Sequence, residues 1–138
     1  GADSLTAQCA LESGIPLHVI LPFDEKSYIE GMNNDQQRLT KVLIDKAENV
    51  IRLPDSKGKS IYEIMGDFLV LEMDYLIAVW NGQEARGPGG TGDVVDKFNK
   101  TGKPWIWIRA DNMVKEKPVL LPQGLFQGTI EFHNSGQK

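Results

Sequence analysis

A glycine-rich stretch, residues 80–93, contains the residue types in this sequence that best suit a ligand. It joins the apolar run at 75–80 to a helix-like segment that begins near Thr91, and four glycines lie between positions 87 and 92. Glycine tolerates positive φ and lets a backbone approach a ligand without interference from a Cβ atom. A glycine loop that leads into a helix presents unpaired N–H groups and the positive end of the helix dipole, which suit a phosphate. The stretch therefore predicts an anion site; the alternative is an ordinary connection in which Thr91 or Asp93 caps the next helix.

Side chains outside this stretch are further candidates. Tyr28 lies in the polar stretch 23–34, which we predict to be a loop at the carboxyl end of a strand, where ligands of open α/β sheets bind. Its ring suits stacking on a base, and the alternative is packing on its own domain. The other candidates lie within the glycine stretch. They are its glycines and the residues at the end of the apolar run or the start of the helix: Trp80, Gly82, Gly87, Gly89, Gly90, Thr91, Gly92 and Asp93.

Composition and charge exclude several classes of protein. The net charge of −4 argues against a nucleic-acid polymer as the main partner, because that requires a basic face. The single cysteine, Cys9, excludes an internal disulfide and a cysteine-rich zinc site, and it fits a reducing cytoplasm. The most apolar run, 68–80, is interrupted by Glu72 and Asp74, so no membrane-spanning segment is predicted.

Metal and cofactor motifs are not found in the sequence. His18 and His133 are far apart, and neither stands in a cluster with ligand spacing, so we predict no metal site. The last glycine of the stretch, Gly92, is followed directly by Asp93 and not by the Lys-Ser or Lys-Thr of a P-loop, which argues against ATP hydrolysis of that type. We expect no cofactor.

Helical and apolar patterns alternate along the first 109 residues. Asp3 or Ser4 is the expected cap of a first helix that ends near Ser13, and Asp35 is the expected cap of a second. Strands are predicted at 17–21, 49–53, 75–80 and 105–108, with short ones at 119–121 and 129–132, and a helix between 91 and 102 with Val94, Val95 and Phe98 facing inward.

This alternation predicts an α/β protein with a Rossmann-like three-layer α/β/α fold and a mostly parallel sheet. The chain opens on a helix, although a doubly wound sheet begins with a strand. Either the first strand lies upstream in a longer protein, which we favour, or the C-terminal tail supplies a substitute. We divide the chain into a ligand-binding domain at 1–110 and a C-terminal extension at 111–138.

Several segments taken together resemble a known family. They are Ala2-Asp-Ser4 followed by a helix of small residues, the strand at 17–23 that ends in Leu-Pro-Phe, Tyr28 in the next loop, and the segments 74–82 and 87–93. Their order resembles the SLOG superfamily, the Rossmann-like group that includes the LOG cytokinin-activating phosphoribohydrolases, the DprA-type fold and the nucleotide-sensor domains of bacterial conflict systems. The resemblance covers roughly residues 2–109.

The resemblance implies a pocket for a nucleotide or nucleotide-derived ligand at the carboxyl ends of the strands. The phosphate would be held at residues 89–92. Asp93 would suit ribose hydroxyls better than phosphate, because like charges repel, or it would cap the helix. Ser4 would face the same pocket, or cap the first helix.

The departures from the LOG pattern weaken an enzymatic function. The LOG enzymes carry Pro-Gly-Gly-x-Gly-Thr followed by a catalytic Glu, whereas this chain has Pro-Gly-Gly-Thr-Gly-Asp at 88–93 and then Asp96. We therefore expect a cytoplasmic, bacterial sensing domain for a nucleotide-type signal, fused to an effector or forming a homo-oligomer. The first alternative is an N-glycosidic-bond enzyme of the phosphoribohydrolase or deoxyribosyltransferase type, with Asp93 or Glu30 as the catalytic residue. The second is an interaction domain with a vestigial pocket.

Overall fold

The computed structural model describes residues 1–54, 58–110 and 128–134. Helices and short strands alternate along these residues, so the α/β class is confirmed. The chain divides into two compact units, Gly1–Ile61 and Tyr62–Lys138. In the described part of the chain, no helix is long and apolar enough to cross a membrane.

The first unit contains a two-stranded parallel sheet and three helices. In chain order its elements are α1 (Ala2–Glu12), β1 (His18–Leu21), α2 (Glu25–Glu30), α3 (Asn34–Asp45) and β2 (Asn49–Arg52). The strands β1 and β2 pair in register from His18 opposite Asn49 to Leu21 opposite Arg52. Leu21, Ile29 and Ile44 form the buried core between this sheet and the helices. The two apolar runs predicted as strands at 17–21 and 49–53 are therefore confirmed.

The helix starts in the first unit differ from the prediction. Asn33 caps α3, and the side chain of Gln36 reaches back to the Asn33 N–H in a capping box, so Asp35 is not the cap. The N-cap of α1 is Gly1, without a side-chain hydrogen bond, so the capping role assigned to Asp3 or Ser4 is wrong. Both lie inside the first turns of the helix.

The stretch predicted as an irregular loop at 23–34 contains helix α2. Asp24 caps it by accepting a hydrogen bond from the Ser27 N–H at 3.0 Å, and Ile29 is buried in the core. The prediction was wrong because six residues are too few for a helical apolar pattern. A cap signature was nevertheless present at Asp24.

The second unit contains a mixed three-stranded sheet. Its elements are α4 (Ile61–Glu72), β3 (Leu76–Trp80), α5 (Thr91–Lys100), β4 (Trp105–Arg109) and β5 (Ile130–His133); Ile61 itself is counted in the first unit. The strand order is β3-β4-β5; β3 and β4 are parallel, and β5 runs antiparallel to β4. The strand predicted at 129–132 is confirmed as β5, and the one predicted at 119–121 lies outside the described residues.

One face of this sheet packs on α5. Phe98 of α5 is fully buried, and with Val95, Ala78 and Trp105 it forms the core of the unit. The inward orientation predicted for Val94, Val95 and Phe98 is therefore confirmed. This packing fixes the start of α5 beside the carboxyl end of β3, which is where the glycine stretch runs.

Candidate functional site

A cavity lies at the junction between β3 and α5. Its volume is about 790 Å³, and it is lined by residues 80–86 and 90–92. Pockets for small molecules usually have volumes of about 300–1,000 Å³. The volume of the cavity falls in this range, although the cavity is open to solvent over much of its surface, and it lies in the stretch that the sequence singled out. Gly87 and Gly89 are not among its lining residues.

Only glycine fits at position 89, because the loop packs directly on the backbone of α4. Its φ is +80°, and a Cβ atom there would lie 2.1 Å from the carbonyl carbon of Tyr62 and 2.4 Å from the nitrogen of Glu63. No side chain fits at that distance. By contrast, a Cβ atom at Gly87 would meet nothing within 4 Å.

Two lining glycines also allow close contacts inside the loop. A Cβ atom at Gly92 would lie 2.9 Å from the Ala85 nitrogen and 3.0 Å from the Gln83 oxygen. At Gly82, φ is +78° and a Cβ atom would lie 2.9 Å from the ring of Trp107. These glycines let the loop fold back tightly over the strand end, whether or not a ligand is bound.

The N–H groups of the loop are divided between internal bonds and the cavity. The Gly89 N–H is donated to Asp93 Oδ2 at 2.8 Å, and the Gly90 N–H to the Gly87 carbonyl at 3.2 Å. The prediction that these two N–H groups bind a phosphate is therefore wrong, because both already have acceptors within the loop. The N–H groups of Thr91 and Gly92 have no acceptor among the described residues, and both residues line the cavity. The first turn of α5 thus keeps donors for an anion.

Asp93 stabilises the loop before α5 and the first turn of this helix. Besides accepting the Gly89 N–H, its carboxylate lies 3.0 Å from Lys97 Nζ, which also contacts Asp67 at 2.9 Å. The Gly89 N–H, followed by the hydrogen bond from Lys97, holds the pKa of Asp93 below its ordinary value of 3.8. The N-cap of α5 is Gly90, and Asp93 instead binds the N–H just before that cap. Asp93 does not line the cavity, and its contact with a ribose stays a prediction.

Side chains that the sequence reasoning did not select complete the cavity. Arg86 and Glu84 are exposed charged residues of the lining, and Asn81 and Gln83 line the cavity as well. Arg86 makes no ion pair with the described residues. A simple pattern would have indicated it, because it is the only basic residue between 80 and 93.

Comparisons of this chain with protein-family models, with curated proteins and with solved structures found no match. The likeness to the SLOG superfamily stays a prediction.

Three of the predicted site residues lie in the first unit. Ser4 lies within α1, Tyr28 and Glu30 within α2. The Tyr28 ring packs edge-on against Phe23, with the ring centroids 5.9 Å apart, and joins the core of that unit. This is the alternative in which Tyr28 packs on its own domain. Glu30 is exposed, and its carboxylate lies 3.9 Å from Lys26 Nζ.

Metal binding has no support in the described part of the chain. There, no group of three or more His, Cys, Asp or Glu side chains is arranged to hold an ion.

Replacing Asp93 by Asn is expected to lower the free energy of unfolding by about 1 kcal/mol at pH 7. The reason is that its charge-assisted hydrogen bonds with the Gly89 N–H and Lys97 are weakened. The pKa of Asp93 is lower in the folded chain than its ordinary value of 3.8. Its charge therefore stabilises the fold above that pH, and the contribution is lost as the pH falls through the lower folded value. Urea unfolding of both proteins at pH 7 and at about pH 3 should show a difference that shrinks in acid. A difference that is independent of pH would contradict this role.

Proposed function

We propose that this chain binds a nucleotide or nucleotide-derived signal in the cavity at the start of α5, as a sensing domain. One observation carries the proposal. Thr91, Gly92 and Arg86 line the same cavity of about 790 Å³, and the N–H groups of Thr91 and Gly92 have no acceptor among the described residues. Helix N-terminal N–H groups together with a guanidinium are donors suited to phosphate oxygens.

The remaining lining favours a nucleotide over a bare anion. A phosphate fills only a small part of such a volume. Trp80 offers an aromatic surface, and the amide of Gln83 carries both a donor and an acceptor for the edge of a base. Glu84 suits ribose hydroxyl groups, which are donors that a carboxylate accepts.

Binding is favoured over turnover by the state of Asp93. A residue that attacks or polarises the ribose must reach the ligand, but Asp93 does not line the cavity, and its Oδ2 already accepts the Gly89 N–H and pairs with Lys97. The other catalytic candidate, Glu30, is an exposed residue of the first unit. A bound signal would act by changing the state of a fused effector or of an oligomer of this chain.

A ligand panel tests this proposal. Nucleoside monophosphates, NAD and cyclic dinucleotides are added separately, thermal unfolding is followed, and each mixture is then separated by chromatography. We expect at least one compound to raise Tm without being consumed, since a ligand at 100 times its Kd stabilises the folded state by about 2.7 kcal/mol. Arg86→Gln should weaken binding about tenfold, because one charge-assisted hydrogen bond is lost. Lys100→Gln is the matched control, since this exposed residue of α5 does not line the cavity.

Other outcomes would overturn the proposal. Release of free base would favour the N-glycosidic enzyme, and no change in Tm with any compound would leave only an interaction domain. Equal weakening by the Arg86 and Lys100 variants would contradict the assignment of the site.

A further inference from the structure

A stack of side chains on the second unit's sheet ends at the cavity. The guanidinium carbon of Arg109 lies 3.6 Å from the ring centroid of Trp107. The Trp107 ring in turn lies 5.1 Å from the ring of Trp80, measured between centroids. Trp80 is half-buried and lines the cavity. The cavity wall is thus the outer member of a packed aromatic pair.

Hydrogen bonds hold this pair in place. Trp80 Nε1 donates to the Gln83 carbonyl at 3.0 Å, and Trp107 Nε1 donates to the Trp80 carbonyl at 2.9 Å. Arg109 is buried and its Nε donates to Glu131 of β5 at 2.6 Å, which fixes the inner end of the stack. Because the Trp80 ring is ordered by folding, a ligand that contacts it loses little further side-chain entropy.

Resting on the proposed function, we infer that the Trp80 indole is a stacking platform for the planar aromatic base of the ligand. Stacking requires a large, fixed π surface, and Trp80 carries one and lines the cavity, as Gln83 does. Arg86 and the first turn of α5 bind the phosphate of the same molecule. The cavity therefore selects ligands that join a heteroaromatic ring to a phosphate, over sugar phosphates or inorganic phosphate.

The expected preference for a nucleotide over a sugar phosphate can be calculated from the energetics of stacking. A base on an aromatic side chain strengthens binding by about 5-fold to 160-fold. Adenosine 5′-monophosphate is therefore expected to bind more tightly than ribose 5-phosphate by a factor in that range. Both compounds carry the same phosphate, so the ratio of their Kd values isolates the contribution of the base.

Calorimetric titration of both compounds into three variants and the unmodified chain tests the platform. Trp80→Leu removes the π surface but keeps an apolar side chain, and Trp80→Phe keeps a smaller ring. We expect Trp80→Leu to lose most of the preference for the nucleotide while its affinity for ribose 5-phosphate changes less than twofold. Trp80→Phe should lose only part of it. Phe132→Leu, which alters an exposed aromatic ring of β5, is the matched control and should leave both affinities unchanged.

Tryptophan emission gives a second readout that does not depend on Trp80→Leu folding. Stacking should quench the emission of the unmodified chain with the nucleotide but not with ribose 5-phosphate, and Trp80→Phe should abolish that quenching. Equal affinity of the unmodified chain for the two compounds would overturn the platform while leaving phosphate binding in place. Absence of binding by both, together with no change in Tm across the ligand panel, would overturn the proposed function itself.

Discussion

Gly89→Ala is expected to lower the free energy of unfolding of the second unit by about 3 kcal/mol or more. Two costs add at this position. A φ of +80° is strained for any residue with a Cβ, by about 1–2 kcal/mol. The new methyl group would also lie 2.1 Å from the Tyr62 carbonyl carbon, and overpacking of this kind costs about 1–3 kcal/mol. The contact is with backbone, so it cannot be relieved by rotating a side chain.

Gly87→Ala is the matched control for this prediction. It lies in the same loop, but a Cβ atom there meets nothing within 4 Å, so a change below about 0.5 kcal/mol is expected. Urea unfolding followed by tryptophan emission measures both variants, because all three tryptophans, at 80, 105 and 107, belong to the second unit. Equal stability of the two variants would show that α4 does not approach the loop as described.

Arg109→Met is expected to lower the free energy of unfolding by about 3 kcal/mol. The Arg109 side chain is 7% exposed, and it donates to Glu131 at 2.6 Å while stacking on Trp107. Removing one partner of a buried ion pair costs about 3–5 kcal/mol. Glu131 keeps its other contact, with His133 Nε2 at 3.7 Å. The lower end applies because the Glu131 side chain is 33% exposed and regains some water.

Arg86→Met provides the same substitution at an exposed position. It should change the free energy of unfolding by less than about 0.5 kcal/mol, although it removes the cation from the cavity. The two variants are compared by urea unfolding at pH 7. A loss at Arg109 no larger than the loss at Arg86 would contradict the buried pairing between β4 and β5.

The strands could be predicted from the sequence because each apolar run is bounded by residues that end a strand. Pro22 and Pro54 close the regions of β1 and β2, and Pro104 precedes β4. A short run of this kind has few alternatives in an α/β chain. Helix α2 was missed because its stabilisation comes from one cap and one buried side chain, Ile29, rather than from a repeated pattern. The direction of β5 could not be predicted from a local pattern, because a strand's pairing partner lies elsewhere in the chain. The structure shows that β5 runs antiparallel to β4.

The place of the candidate site could be predicted, but its donors could not. Glycine content indicates where a backbone can come close to something, and it does not indicate to what. At Gly89 the close neighbour is α4, and the N–H is taken by Asp93, four residues later in the same turn. Only the structure shows that the Gly89 N–H has an acceptor within the loop, whereas the N–H groups of Thr91 and Gly92 have none among the described residues. The contribution of Arg86 was equally open, because a charged residue in a loop is usually a solvated one.

The first-turn N–H groups of α5 are the proposed donors to the phosphate of a nucleotide. Titration of the ¹⁵N-labelled chain with adenosine 5′-monophosphate, followed by amide chemical shifts, tests this assignment most directly. We predict the largest shifts at Thr91 and Gly92, while the Gly89 N–H keeps its bond to Asp93. The same titration of Arg86→Gln should need about ten times more ligand for the same shifts. Unchanged amide shifts at Thr91 and Gly92 in the presence of saturating nucleotide would contradict the account.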